Sequence, residues 1–315
     1  MGCVVDSRWY HAVMRAGKKA RGWATRARLS ASRKDAFLNR RDFLRFAAAA
    51  SASLALPGTA RVFQRPATAN RVTPAQSAPP LRVVTYNVRS CKGLDSRVRP
   101  ERVAGILRKI DSDVIALQEV RAEQAKEIAQ RLGYNFFYGH ADNVHRYDFG
   151  NAILSRFAMR DTRLYPIGVP QRQQRACLRA DIAWPDRTHV VHVFTVHLGL
   201  SSAERRDQAA RLVSPQILAD PAIQHEPRVL LGDFNEKSRN GDVNRHLAML
   251  LRRFGKNTYP AFLPIIDLDR IYISSDLTLR SIRPYLFGAA LIASDHAPLV
   301  AVLEQATPRP ENDPR

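Results

Sequence analysis

The sequence predicts a layered α/β sandwich, and three observations point there. Apolar runs with strand spacing alternate with helical patterns in the order βαβαβ, then several strands, then α, β, α and three closing strands. The middle strands have no helices between them, which implies antiparallel pairing and mixed sheets. Five short polar clusters each stand at the end of an apolar run: Tyr86-Asn87, Gln118-Glu119, Thr195-Val196-His197, Gly232-Asp233-Phe234-Asn235 and Ser294-Asp295-His296. Strand ends are where open α/β sheets hold ligands.

The elements follow in order. Residues 81–88 alternate apolar and polar side chains, many of them β-branched, and read as a strand. Pro100 opens a helix in which Val103, Ile106, Leu107 and Ile110 recur at i, i+3, i+4 and i+7. Residues 113–117 form a short buried strand, 122–132 a helix closed by Gly133, and 134–138 a third strand. Runs 151–154, 159–165, 176–184 and 189–196 are strand-like. Residues 202–218 read as a helix with Pro215 as a kink or break, and 228–231 as an apolar strand. Residues 243–254 read as a helix with Val243, Leu247, Leu250, Leu251 and Phe254 on one face. Strands 270–273, 277–282 and 298–303 close the domain.

Charge divides the chain into unlike parts. Residues 1–80 hold 15 Lys and Arg against 3 Asp and Glu, leaving 34 against 26 for residues 81–315. The basic excess therefore belongs mostly to the leader and is a poor argument for nucleic-acid binding by the folded part. Within the leader, residues 1–60, Arg40-Arg41 is followed by Phe43-Leu44, an apolar run over 46–56 and the small-residue stretch Pro57-Gly58-Thr59-Ala60. This resembles a twin-arginine export signal, with a run too short to span a bilayer. It predicts use of the twin-arginine export machinery and a periplasmic or secreted protein, or one kept at the membrane by an uncleaved leader. The plain alternative is a basic arm beside an Ala-rich helix. Residues 61–80, rich in Pro, Ala and Thr, read as a linker, 81–304 as the folded domain and 305–315 as a polar tail. Of three cysteines, Cys91 and Cys177 either pair in an oxidising compartment or stay as buried thiols.

Each polar cluster has its own chemistry. Glu119, after a buried apolar run, offers a hard carboxylate oxygen of the kind Mg²⁺ takes, and Asn87 offers a neutral amide oxygen. Asp233 and Asn235 lie two apart, with Gly232 permitting close approach. The carboxylate can orient and deprotonate a water while the amide donates to a phosphoryl oxygen, although Asp-x-Asn is also an ordinary Asx-turn pattern. His197 ends an alternating strand and can donate to a phosphate, or simply bond backbone.

These clusters, with Gly150-Asn151-Ala152-Ile153-Leu154-Ser155-Arg156 and Leu268-Asp269-Arg270-Ile271-Tyr272, occur in the order seen in the endonuclease/exonuclease/phosphatase superfamily, which residues 82–303 resemble. The resemblance implies the deoxyribonuclease-I-like fold, a four-layer α/β sandwich of two mixed, mainly antiparallel sheets packed face to face with helices outside. It implies that His296 contacts the scissile phosphate, that Asp269 orients His296, that Asp295 lies at the metal and that Asn151 lines the substrate site. It also implies Mg²⁺ or Mn²⁺ as cofactor and in-line attack of an Asp233-activated water on a phosphate ester.

Arg89 and Leu268 stand where DNA-repair members resembling this chain carry an acid and an aromatic residue. These departures tell against repair-endonuclease activity. The expected activity is that of a metal-dependent phosphodiesterase or phosphatase, phosphodiesterase first, acting on a lipid headgroup, a sugar phosphate or nucleic acid, by a monomer that touches a membrane surface transiently. No aromatic wedge for such contact stands out in the sequence. Two alternatives are a nuclease acting on DNA or RNA, and a non-catalytic module binding anionic polymers through Arg89, Lys92, Arg205 and Arg206. Such a module has no need of Glu119, Asp233, Asp295 and His296 together.

Overall fold

The computed structural model describes residues 78–140, 149–186 and 189–306. The leader, most of the linker, the tail past 306 and most of the loop 140–149 lie outside the described residues.

Two six-stranded sheets face each other. In chain order the strands are β1 (Leu81–Asn87), β2 (Val114–Val120), β3 (Asn135–Gly139), β4 (Gly150–Ser155), β5 (Met159–Pro166), β6 (Ala176–Ala183), β7 (Val190–His197), β8 (Arg228–Asp233), β9 (Arg252–Gly255), β10 (Asp269–Ile273), β11 (Leu277–Pro284) and β12 (Leu299–Gln305). One sheet runs β11-β12-β1-β2-β4-β3 and the other β5-β6-β7-β8-β10-β9. Each has one parallel pair at its centre, β1 with β2 and β7 with β8, and antiparallel pairs elsewhere.

Period-2 alternation builds the layers. Val83 faces the opposite sheet, in a core with Val114, Ile153, Leu178, Val193, Val229 and Ile271, whereas Val84 faces outward. There Val84, Tyr86, Ile115 and Leu117 meet the helices α1 (Pro100–Ile110) and α2 (Ala122–Leu132) through Val103, Leu107 and Ile128. On the other outer face Phe194, Val196, Leu230 and Tyr272 meet α3 (Ser202–Leu212) and α4 (Asp242–Leu247) through Ala209, Leu212, Val243 and Leu247. The result is the expected four-layer sandwich. Among the described residues no helix is long and apolar enough to cross a membrane.

Two helices are shorter than the sequence predicts. Residues 243–254 do not form one helix: α4 stops at Leu247, and 252–255 pair with β10 as β9. Phe254 thereby leaves the outer core of Val243 and Leu251 and packs against the layer between the sheets. Pairing with an open strand edge overrides helical periodicity here. The predicted helix 202–218 likewise ends at Leu212, and a series of turns carries Ile217 and Leu218 back into the same core. Cys91 and Cys177 are free thiols buried in separate cores on opposite outer faces, so the pairing alternative is excluded.

Candidate active site

Strand register gathers the polar clusters at one end of the sandwich. Parallel pairing of β7 with β8 sets His197 beside Asp233, and antiparallel pairing of β8 with β10 sets Asp233 beside Asp269. A Cβ on Gly232 would lie 2.0 Å from the Val196 carbonyl oxygen, so the close approach of these two strands just before the site demands glycine. In the facing sheet, the Ser294 hydroxyl donates to the Asn87 carbonyl oxygen at 2.8 Å, which ties the Asp295-His296 segment to the end of β1.

One oxygen is the focus. Asp233 Oδ2 accepts from Asn87 Nδ2 at 3.0 Å and lies 3.7 Å from Nε2 of both His197 and His296. The other Asp233 oxygen accepts from the Asn235 backbone N–H at 2.9 Å, so the Asx turn and the cleft share one carboxylate. Asn235 has φ of 50° and donates Nδ2 to the Leu198 carbonyl at 2.9 Å. His296 Nδ1 lies 2.8 Å from Asp269 Oδ2, which also accepts from the Thr258 hydroxyl. Aspartate on Nδ1 holds the Nδ1–H and the ring orientation, and directs Nε2, which carries a hydrogen while the ring is charged, at the cleft.

Glu119 reaches the cleft by a backbone irregularity. It lies inside β2, not after it, with φ of 52°, where the β2–β4 register shifts between Leu117 and Val120. A left-handed non-glycine residue costs about 1 kcal/mol or more and re-aims its side chain. The carboxylate accepts from Asn87 Nδ2 at 3.1 Å and lies 3.9 Å from His197 Nε2. Asn87 thus turns its NH₂ to two carboxylates, while the oxygen expected to face a metal accepts from Arg89 N–H at 3.1 Å. Asp295 stands at the rim, 3.6 Å from Arg89 Nε. Asn151 is buried and donates to the Ala176 carbonyl at 3.1 Å, joining β4 to β6.

Burial and neighbouring charge set the protonation states. Burial raises Asp233 above the ordinary carboxylate range, partly offset by the charge of His296. Burial opposes charge on His296, but Asp269 and Asp233 outweigh it and raise the imidazole well above its usual value. Burial, with Arg175 and His296 adding to it, holds His197 well below its usual value, so it is neutral.

Arg175 carries no sequence motif and was missed at that level. It immediately precedes β6, is 7% exposed, and has a buried Nε without a hydrogen-bond partner among the described residues. Burial lowers its pKa, while the charges of Glu204, Asp233 and Glu119 hold it up. Arg205, in contrast, is taken up structurally by the Gly199 and Leu200 carbonyls and by Glu236 at 3.8 Å. This tells against its use as a free polymer-binding charge.

The donor set fits a hard divalent cation. Asn87 joins Glu119 to Asp233, Asp269 lies beside Asp233, Asp295 stands at the rim, and among the described residues the buried Asp269 Oδ1 has no partner. Asp233, Asp269 and His296 hold their potential ligand atoms within 4.8 Å of one another. Carboxylate oxygens in excess over nearby cations are what Mg²⁺ or Mn²⁺ selects.

Comparison with known proteins agrees with this geometry. The uncharacterized protein YbhP of Escherichia coli (strain K12) is 26% identical over 244 residues, covering 70% of this chain and 94% of that protein. Among solved structures, the Bacteroides thetaiotaomicron VPI-5482 mannosyl-6-phosphatase superposes with a TM-score of 0.60 at 19% identity, over 71% of this chain and 99% of that one. The human Nocturnin catalytic domain with bound sulfate gives 0.59 at 20% identity, over 73% and 96%. At such identities the superpositions establish the fold alone. The family model, however, matches residues 84–296 directly, and on that match the chain belongs to the Endonuclease/Exonuclease/phosphatase family.

Proposed function

We propose that the chain is a divalent-metal-dependent phosphodiesterase. The observation that carries this reading is Asp233 Oδ2, held by Asn87 at 3.0 Å and faced by two histidines of opposite protonation bias. Ionised Asp233 accepts the proton of a water placed in line with the ester, as a buried carboxylate of raised pKa is suited to do. His296, charged and held by Asp269, donates from Nε2 to a phosphoryl oxygen. Neutral His197 donates from Nε2 on the same side, and the second amide hydrogen of Asn235 is free to do so. Glu119 and Asp295 would hold Mg²⁺ or Mn²⁺, with Asn87 keeping Glu119 and Asp233 aligned. When bound, the cation would offset charge on the phosphoryl and leaving oxygens.

Hydrolysis of bis-p-nitrophenyl phosphate by the full chain tests this. We expect turnover that stops with EDTA, returns with Mg²⁺ or Mn²⁺, and is lost in His296→Ala. Turnover insensitive to EDTA, or intact in His296→Ala, would reject the site. Export belongs to the same proposal, supported by Arg40-Arg41 and the apolar run behind them. A reporter fused behind residues 1–80 should remain in the cytoplasm when both arginines become lysine; undiminished export would overturn this part.

A further inference from the structure

The segment joining β9 to β10 passes directly beside the cleft. The Tyr259 ring lies 5.0 Å from the His296 ring, and Ala261 N–H donates to the Asp295 carbonyl at 2.7 Å. The segment closes on itself: Tyr259 bridges Ile266, Leu263 N–H donates to the Pro260 carbonyl, and Ile265 N–H to that of Tyr259. This built loop puts its apolar side chains outside. Leu263 is 60% exposed, with Phe262 and Ile265 exposed on either side of it.

Two more segments continue the apolar rim. Phe287 is 67% exposed, packs edge-on against Tyr285 and stands just before the short helix α5 (Ala290–Ala293), which leads into Asp295 and His296. Ile292 is exposed on that helix, and its carbonyl accepts from Leu94 N–H at 2.8 Å, so exposed Leu94 joins the same edge. The Leu94 loop is also basic. Lys92 and Arg97 stand exposed on it, while its acid, Asp95, is taken by Arg102 at 2.7 Å.

We infer that this rim of Phe262, Leu263, Ile265, Phe287 and Leu94, edged by Lys92 and Arg97, docks the cleft onto an anionic lipid surface that carries the substrate. Exposed apolar patches rimmed by polar groups mark interaction sites. Apolar tips among basic side chains match the boundary between anionic headgroups and acyl chains. The position decides the occupant. A protein seated on these loops would close the cleft beside them, whereas a surface presenting phosphate esters would supply it. The inference rests on the hydrolase reading and narrows its substrate to a phosphoester lipid headgroup.

The test uses the full chain with phosphatidylcholine vesicles, with and without phosphatidylglycerol, whose acyl chains are brominated. Phe262→Trp should show a blue shift and bromine quenching beyond the unsubstituted chain, strongest with the anionic lipid. Met249→Trp should not, because Met249 lies near Arg252, which pairs with Ile273 at the end of β10 away from Asp269. Phe262→Ser combined with Leu263→Ser should cut the partition coefficient about tenfold or more and leave bis-p-nitrophenyl phosphate turnover unchanged. Both leader and domain are present in every variant, so the basic leader contributes equally throughout. Equal quenching at the two tryptophans, no quenching at Phe262→Trp, or a concentration-dependent dimer abolished by the serine pair would overturn the docking surface. Insertion without soluble-ester turnover would sink the hydrolase reading alone, and turnover without insertion the docking surface alone.

Discussion

Two buried histidine–carboxylate clusters share strand β7, and they differ in how their charges are matched. On its outer face His192 Nδ1 lies 2.7 Å from Asp181 and Nε2 2.6 Å from Glu226, while Arg179 forks onto Asp181 at 2.7 and 2.8 Å. Asp220 completes the set 3.5 Å from Arg179. On the inner face, among the described residues, the His197 ring shares Asp233 and Glu119 at 3.7 and 3.9 Å, Asp269 Oδ1 is orphaned, and Arg175 has an unpartnered Nε. Both clusters contain catalytic residue types. In the closed one both ring nitrogens and both Asp181 oxygens are taken, and Arg179 Nη1, without a hydrogen bond, still lies 3.5 Å from Asp220; in the open one a carboxylate oxygen and a guanidinium nitrogen have neither.

The largest effect should separate the two clusters by readout. Asp233→Asn should lower kcat/KM roughly 10³-fold and leave Tm unchanged or higher. The sign follows from burial: a folded-state pKa above the unfolded one makes the ionised carboxylate a burden that grows as pH rises past the ordinary Asp range. Asp181→Ala should do the reverse, costing about 3 kcal/mol in urea unfolding by stranding Arg179 and His192, with turnover per folded molecule retained. Loss of turnover in Asp181→Ala at full folding would erase the distinction.

Next in size is Arg175→Met, expected to lower turnover roughly 10²-fold, as loss of one fixed charge-stabilising donor does, without lowering Tm. A Tm drop with normal turnover would move Arg175 into the structural class. The smallest effect concerns pH. Because Asp233 is raised, the acid limb of the kcat/KM profile should lie above the ordinary carboxylate range. Because His296 is raised, turnover should persist past the ordinary imidazole value and fall only when Nε2–H is lost at higher pH. Asp269→Asn should bring that upper limb down, and a limb that stays put would exclude Asp269 as the group holding the imidazolium.

Much of this was legible because strand alternation is local. Period 2 places His197 with Thr195 on the inner face and His192 with Phe194 on the outer one, and the strand-end clusters followed from the apolar runs before them. The boundaries of α4 and β9 were not legible, since Leu250, Leu251 and Phe254 suit a helix face as well as two separate layers. Thr258 belongs to the site through a hydrogen bond to Asp269, and Arg175 through the charges of Asp233 and Glu119 acting on it, neither of which local spacing records. Glu119 was identified as a residue, but its left-handed backbone depends on the β4 register.

The polar seam beneath the cleft has a mechanical meaning. Thr85 donates to Gln118 and Gln118 to Thr195, each at 3.1 Å, while Asn87 and Asn151 also reach from one sheet to the other. Apolar layers attract without direction, so on their own they let two sheets glide past each other at little cost. Directional amides act as dowels that lock the glide. A sandwich without them could remain whole and still lose its function, its two halves disagreeing about where the substrate lies.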